Sequence, residues 1–185
     1  MAGLRLILAS RSPQRRAILE QVGVDFEVLV PDVDELTEGE PGAVVVENAL
    51  RKARAVDGEL VLGCDTEVVL DGRVYGKPRD AAEAERFLRE LSGREHRVVS
   101  GLALIESGEE ATAVAWTGVT FRQLDEPTLR WYLGSGEWSG RAGGYAIQAR
   151  GAALVERIDG DYLNVVGLPL ATLLGLKPSL PLLHR

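Results

Sequence analysis

The order of the apolar runs constrains this chain more than any single motif does. Near the start a short apolar run, Leu4–Ala9, feeds into Ser12 and Pro13, a serine N-cap followed by a proline at the first helical position. Ile18, Leu19 and Val22 give that helix an apolar face, and Gly23 stops it. Phe26–Val30 reads as a second strand, the acidic stretch PDVDELTEGEP as a loop, Gly42 to Val56 as a helix and Leu60–Cys64 as a strand. Turns then take over. Asp71-Gly72 between EVVL and RVY signals a hairpin, and Arg97–Ile105 and Ala111–Phe121 flank a second turn at Ser107-Gly108. Asp80 with Glu83 three residues on forms a capping-box pattern for a helix to Leu91, closed by Gly93. A short helix at Pro127–Leu133, strands at Tyr145–Gln148 and Ala153–Ile158 and a last helix from Leu168 complete the chain. Strand–helix alternation giving way to hairpins predicts an α/β fold with a mixed sheet.

The 185 residues, 45% hydrophobic and 26% charged, suit one globular domain spanning 1–185. The longest uncharged apolar stretch, Leu163–Leu176, is shorter than the ~20 residues of a membrane span. The opening residues lack a basic leader with a long apolar run, and a cytoplasmic setting is the plain expectation. Cys64 is the only cysteine, so no intrachain disulfide forms. With His96 and His184 the only histidines, a multi-histidine metal site is not expected. The net charge of −7, with no long basic run, argues against a nucleic-acid partner. Only Lys52, Lys77 and Lys177 among 21 cationic residues are lysine, in a chain that otherwise prefers arginine.

Four segments carry chemistry. In ASRSPQRR a strand enters a polar loop and a helix start, whose free N–H groups and positive dipole end suit a phosphate. Arg15 and Arg16 in that first turn either meet a polyanion or pair with acids such as Glu20 or Asp32. In GCDTEVVLDGRVYGKP an apolar strand ends in Asp65, with Glu67 on the same side if the strand continues and Lys77 in a stiff turn. An acid directly after VLGC is costly if buried unpaired. The acidic loop holds Asp32, Asp34 and Glu35, and the helix after it places Asn48 and Lys52 on one face. Together with Asp65 these acids suit Mg²⁺, which takes carboxylates, water and substrate phosphates. GRAGGYAIQARG offers close backbone approach and, at Gln148, an amide with both donor and acceptor. Acids and cations without cysteine–histidine or serine–histidine–aspartate partners point to metal-assisted phosphoryl chemistry.

The segments LASRSPQRR, LRKARAV, GCDTEVVLDGRVYGKP, LSGREHRVVSGLAL, RAGGYAIQARG and DGDYLNVVGLPL occur in the order seen in Maf-like nucleoside triphosphate pyrophosphatases. The resemblance runs from about Leu6 to Leu174. YAIQ and YLNVVGLPL resemble the branch acting on dTTP and UTP; 7-methyl-GTP or another modified nucleotide is the alternative substrate, and a nucleotide-binding regulator of cell division the alternative class. The resemblance implies a mixed twisted sheet with flanking helices, related to inosine triphosphate pyrophosphatases, with two lobes around a cleft and a homodimer. It also implies hydrolysis to the monophosphate and pyrophosphate with a divalent cation, Mg²⁺ or Mn²⁺. By the same resemblance Ser10, Ser12 and Arg15 bind phosphate, with Gln14 and Arg16 beside them. Glu35, Lys52, Asp65 and Lys77 match catalytic positions, with Asp65 corresponding to the proton acceptor; on the physical reading Glu35 and Asp65 hold the metal or position the water, which leaves Asp65 as base, ligand or both. Thr66 and Gln148 correspond to positions of base selection. The chain departs from the family at Gln14, where an arginine is usual, at Arg141, where a lysine is usual, and at Glu67, where an apolar residue is usual.

Overall fold

A computed structural model describes residues 5–180, so Leu4 and His184 lie outside the described residues. The chain alternates as β1 (Leu6–Leu8), α1 (Pro13–Gln21), β2 (Phe26–Val28), α2 (Pro41–Arg54) and β3 (Leu60–Leu70), then β4 (Arg73–Tyr75) and α3 (Ala81–Leu91). Two long strands follow, β5 (Glu95–Glu106) and β6 (Glu109–Phe121), then α4 (Glu126–Leu133), β7 (Val155–Asp159), α5 (Tyr162–Val166) and α6 (Leu170–Leu176). Among the described residues the strands form one sheet in the order β2-β1-β3-β5-β6-β7, with β4 paired to β3. β1 is parallel to both β2 and β3, whereas β3–β4 and β6–β7 are antiparallel. The sheet is mixed, as the pattern predicts.

Local chemistry explains the boundaries. Ser12 caps α1, its Oγ accepting from Arg15 N at 3.4 Å, with proline entering the first turn. Asp71 and Gly72 both adopt positive φ (51° and 77°), as a two-residue turn closing Leu70 onto Arg73 requires. Asp80 caps α3 by accepting from Glu83 N at 2.8 Å. The reciprocal half of the capping box differs, because Glu83 accepts from Arg79 N (2.9 Å) and Arg79 Nε rather than from Asp80.

By contact density the chain divides into two compact units. One comprises the described residues up to Thr66, Ser100–Ala115 and those from Gly167 on; the other comprises Glu67–Val99 and Trp116–Val166. In the first, α2 lies against β3 and β5 at two glycines. A Cβ at Gly63 would stand 2.0 Å from Ala49 O, and one at Gly101 would stand 2.3 Å from the Val45 carbonyl carbon. The helix backbone therefore rests directly on the strand backbone, with Ala49, Ala53, Val61 and Ala103 buried around the contact. The second unit has its own core, which includes Val68, Phe87, Leu88, Phe121 and Tyr132.

One expectation fails, late in the chain. Tyr145–Gln148 is not a strand. Gly143 and Gly144 turn the backbone at φ +68° and +72°, and the segment is anchored by side chains instead of a neighbouring strand. Ala146 N donates to Tyr132 Oη (3.0 Å), and Tyr145 Oη lies 2.8 Å from His96 Nε2. The last helix expected from Leu168 is α6, and a short helix the pattern did not suggest, α5, precedes it across Gly167 at φ +133° and Pro169. Asp161 opens α5 by accepting from Leu163 N at 2.8 Å.

Candidate functional site

The first unit gathers two adjoining clusters around β3, where Asp65 and Thr66 follow one another. Lys52, one turn on from Asn48 along α2, reaches β3 with only a tenth of its side chain exposed. Its Nζ lies 2.7 Å from Asp65 Oδ1 and 2.8 Å from Glu35 Oε1, and it donates to Cys64 O at 3.4 Å. The second oxygen of Asp65 accepts from Asn48 Nδ2 at 2.9 Å. Burial pushes the Asp65 carboxyl toward the neutral form, but the Lys52 charge, the bonds from Lys52 and Asn48 and the Arg15 charge outweigh it. The net effect holds its pKa below the ordinary carboxylate value, so Asp65 is ionised at neutral pH.

Arg15, on the first turn of α1, forms the second cluster. Buried to 8% exposure, its guanidinium donates to Ser10 Oγ (3.0 Å), Thr66 Oγ1 (3.1 Å) and Gly167 O (2.9 Å). All three acceptors are neutral, and among the described residues no carboxylate pairs with this cation. Thr66 Oγ1 also lies 2.8 Å from Ser100 Oγ, a buried hydroxyl on β5. Ser12 N donates to Ser10 Oγ at 3.2 Å, and Ser12 Oγ donates to Gln14 Oε1 at 3.3 Å. The loop–helix junction is thus pre-formed, with a buried positive charge on neutral oxygens. That is the arrangement an anion completes.

The other sequence candidates divide. Arg16 is exposed and pairs with Glu20 at 3.5 Å along α1, so the acid-pairing alternative holds for Arg16 and not for Arg15. Lys77 and Gln148 belong to the second unit, and both are exposed. The alternation that would turn Gln148 away from a core-facing Ile147 does not apply, because Ala146 and Ile147 are both buried in a turn. Cys64 is fully buried, and burial pushes its thiol pKa up against the charges of Arg15 and Lys52. It is inert as a nucleophile. Asn48 was legible only as a face-mate of Lys52; its direct bond to Asp65 depends on how closely α2 approaches the sheet.

Glu35 and Asp65 both bring a hard oxygen donor to the Lys52 ammonium, and the same pair of carboxylates could hold a magnesium-like ion completed by water and phosphate. No group of three or more His, Cys, Asp or Glu side chains able to hold a metal gathers among the described residues.

The family model described as Maf-like protein matches residues 5–177. The dTTP/UTP pyrophosphatase of Symbiobacterium thermophilum is 52% identical over 172 residues, covering 90% of this chain and 89% of that protein. The proteins of the same name from Anaeromyxobacter dehalogenans strain 2CP-C and Thermus thermophilus are 49% and 48% identical, covering 90% and 92% of this chain and 89% and 92% of those proteins. Among solved structures, the Staphylococcus aureus Ham1 protein aligns at a TM-score of 0.46 and 18% identity, over 63% of this chain and 71% of that one. On the extent of the model match and of these identities, the chain belongs to the Maf family.

Proposed function

We propose that this chain hydrolyses dTTP and UTP to the monophosphate and pyrophosphate, with a divalent cation, Mg²⁺ or Mn²⁺, held by Glu35 and Asp65. The observation that carries the chemistry is the Lys52 ammonium between two carboxylates, beside a buried Arg15 bound only to neutral oxygens. The choice of nucleotide is supported by the named activity of relatives that align over nearly the whole chain.

Attack at the α-phosphorus needs neutralised phosphates, a bound water and a proton acceptor. Arg15, with Ser10, Ser12 and the first-turn amides of α1, would receive the phosphates. Lys52 orients Asp65 and balances its charge. When bound, the cation would neutralise phosphate charge and acidify a coordinated water. An ionised Asp65 would take the proton of the attacking water, and Lys77 would add positive charge to the departing pyrophosphate. Thr66 and Gln148 would contact the base. Among the described residues no helix is long and apolar enough to cross a membrane. The family resemblance extends the proposal to a homodimer working in the cytoplasm, the first of which sedimentation tests directly.

The deciding experiment measures pyrophosphate and orthophosphate release from dTTP, UTP, 7-methyl-GTP and the common triphosphates, with and without excess chelator. Pyrophosphate from dTTP and UTP, lost with chelator, is the expected result. Orthophosphate release, or full activity in chelator, contradicts it.

A further inference from the structure

Asn48 is almost completely buried, at 1% exposure, and nearly all its hydrogen-bonding capacity is committed. Its Oδ1 accepts from Leu36 N at 2.7 Å, and its Nδ2 donates to Leu36 O at 3.0 Å and to Asp65 Oδ2 at 2.9 Å. The Leu36 N–H must meet an acceptor, which fixes the orientation of the amide and turns both Nδ2 hydrogens toward oxygens. Leu36 adjoins Glu35 in an acidic loop that belongs to no helix or strand. One amide on α2 therefore ties the backbone beside the first carboxylate to the carboxyl group of the second. Lys52 joins the same two carboxylates by charge, but an ammonium on a flexible stem attracts without fixing direction. The amide supplies the direction.

We propose that Asn48 is a positioning residue that sets the separation and orientation of Glu35 and Asp65 for the divalent cation. The inference rests on the metal assignment made under the proposed function. It goes beyond that assignment, because Asn48 touches neither substrate nor metal and acts through its two neighbours. Loss of an outer hydrogen-bond partner of a ligating group lowers metal affinity or activity by ~10–100-fold.

Two substitutions separate the halves of the amide. Asn48→Ala removes all three bonds. Asn48→Asp preserves size and can still accept from Leu36 N, but it sets an acceptor against Asp65 Oδ2 and Leu36 O. Full-length wild type and both variants are titrated with Mn²⁺ by electron paramagnetic resonance without nucleotide, and thermal melts report the folded fraction. Hydrogen exchange is followed at the Leu36 amide, and kcat and KM for dTTP are measured against Mn²⁺ concentration. We expect Mn²⁺ affinity per folded molecule to fall ~10–100-fold in both variants. Leu36 exchange should accelerate in Asn48→Ala more than in Asn48→Asp, and kcat should recover partly at high Mn²⁺. A purely structural Asn48 would lower the melting temperature while leaving Mn²⁺ affinity within about twofold of wild type, and that result overturns the proposal. So does a wild-type protein that binds no Mn²⁺. If wild type binds Mn²⁺ and the variants lose it, but dTTP and UTP are not cleaved, the proposed substrate falls while the role of Asn48 stands.

Discussion

Asp65 Oδ1 sits 2.7 Å from Lys52 Nζ, and the two side chains retain only 8% and 10% of their exposure. A pair this deep behaves differently from the exposed ion pairs elsewhere on the chain, such as Arg16–Glu20 and Arg5–Glu27. Removing Lys52 leaves Asp65 without its ion-pair partner, a loss of ~3–5 kcal/mol, whereas removing Asp65 leaves Lys52 paired with Glu35 alone.

Asp65→Asn is therefore expected to act twice. Turnover should fall by ~10²–10⁴-fold, as loss of a general base does. The melting temperature should fall as well, because Lys52 keeps only Glu35, whose side chain is 43% exposed. Pyrophosphate release normalised to folded protein separates the two effects. A variant that retains more than about a tenth of the wild-type rate would make Asp65 structural.

Arg15→Lys should not be tolerated. The guanidinium reaches Ser10, Thr66 and Gly167 in three directions, and one ammonium cannot. Each bond lost to a charged donor costs ~1.5–3 kcal/mol, so kcat/KM for dTTP should drop by about tenfold or more. Steady-state kinetics on the purified variant check this. An unchanged value would remove Arg15 from phosphate binding.

Acid stability should turn on His96. The ring is buried against Phe121 and Tyr145, and burial pushes its pKa down from 6.5 to about 4. Above pH 6.5 neither the folded nor the unfolded state carries a proton there. As pH falls from 6.5 to about 4 the unfolded chain binds a proton that the folded chain refuses, and stability declines by about 3 kcal/mol in total. Asp65, with its lowered pKa, adds a further loss only at lower pH. Urea unfolding of wild type and His96→Gln between pH 4 and 8 tests this: the wild-type slope should flatten in the variant.

Gln148→Glu should lower kcat/KM for dTTP and UTP by about fivefold, the worth of roughly one neutral hydrogen bond, with less effect on 7-methyl-GTP. An equal loss on all three substrates would assign Gln148 to packing or catalysis.

What the sequence disclosed and what it withheld follow the range of the interactions. Ser12-Pro13, Asp71-Gly72 and Asp80 act within four residues, and each marks its turn or cap in place. Asp65 was recognisable because a carboxylate after VLGC needs a partner, and Lys52 is that partner. Arg15 and Arg16 looked alike in sequence; tertiary contacts alone send one inward to Gly167 and the other outward to Glu20. Tyr145–Gln148 mimicked a strand because its apolar residues alternate. The hydroxyl of Tyr132, distant in sequence, takes the hydrogen bond that a neighbouring strand would have made. Asn48 was hidden for the same reason, since its role depends on the spacing of two backbones.

That spacing has a genetic consequence. Gly63 and Gly101 leave less than a methyl group of room beneath α2, the helix that delivers both Lys52 and Asn48. Every missense change in a glycine codon adds a side chain, so these two positions have no neutral neighbours in sequence space. Loops that touch substrate can drift and be retuned, whereas the seat of α2 can only be kept or lost. Lineages built on this scaffold should therefore hold the two glycines fixed whatever else they vary.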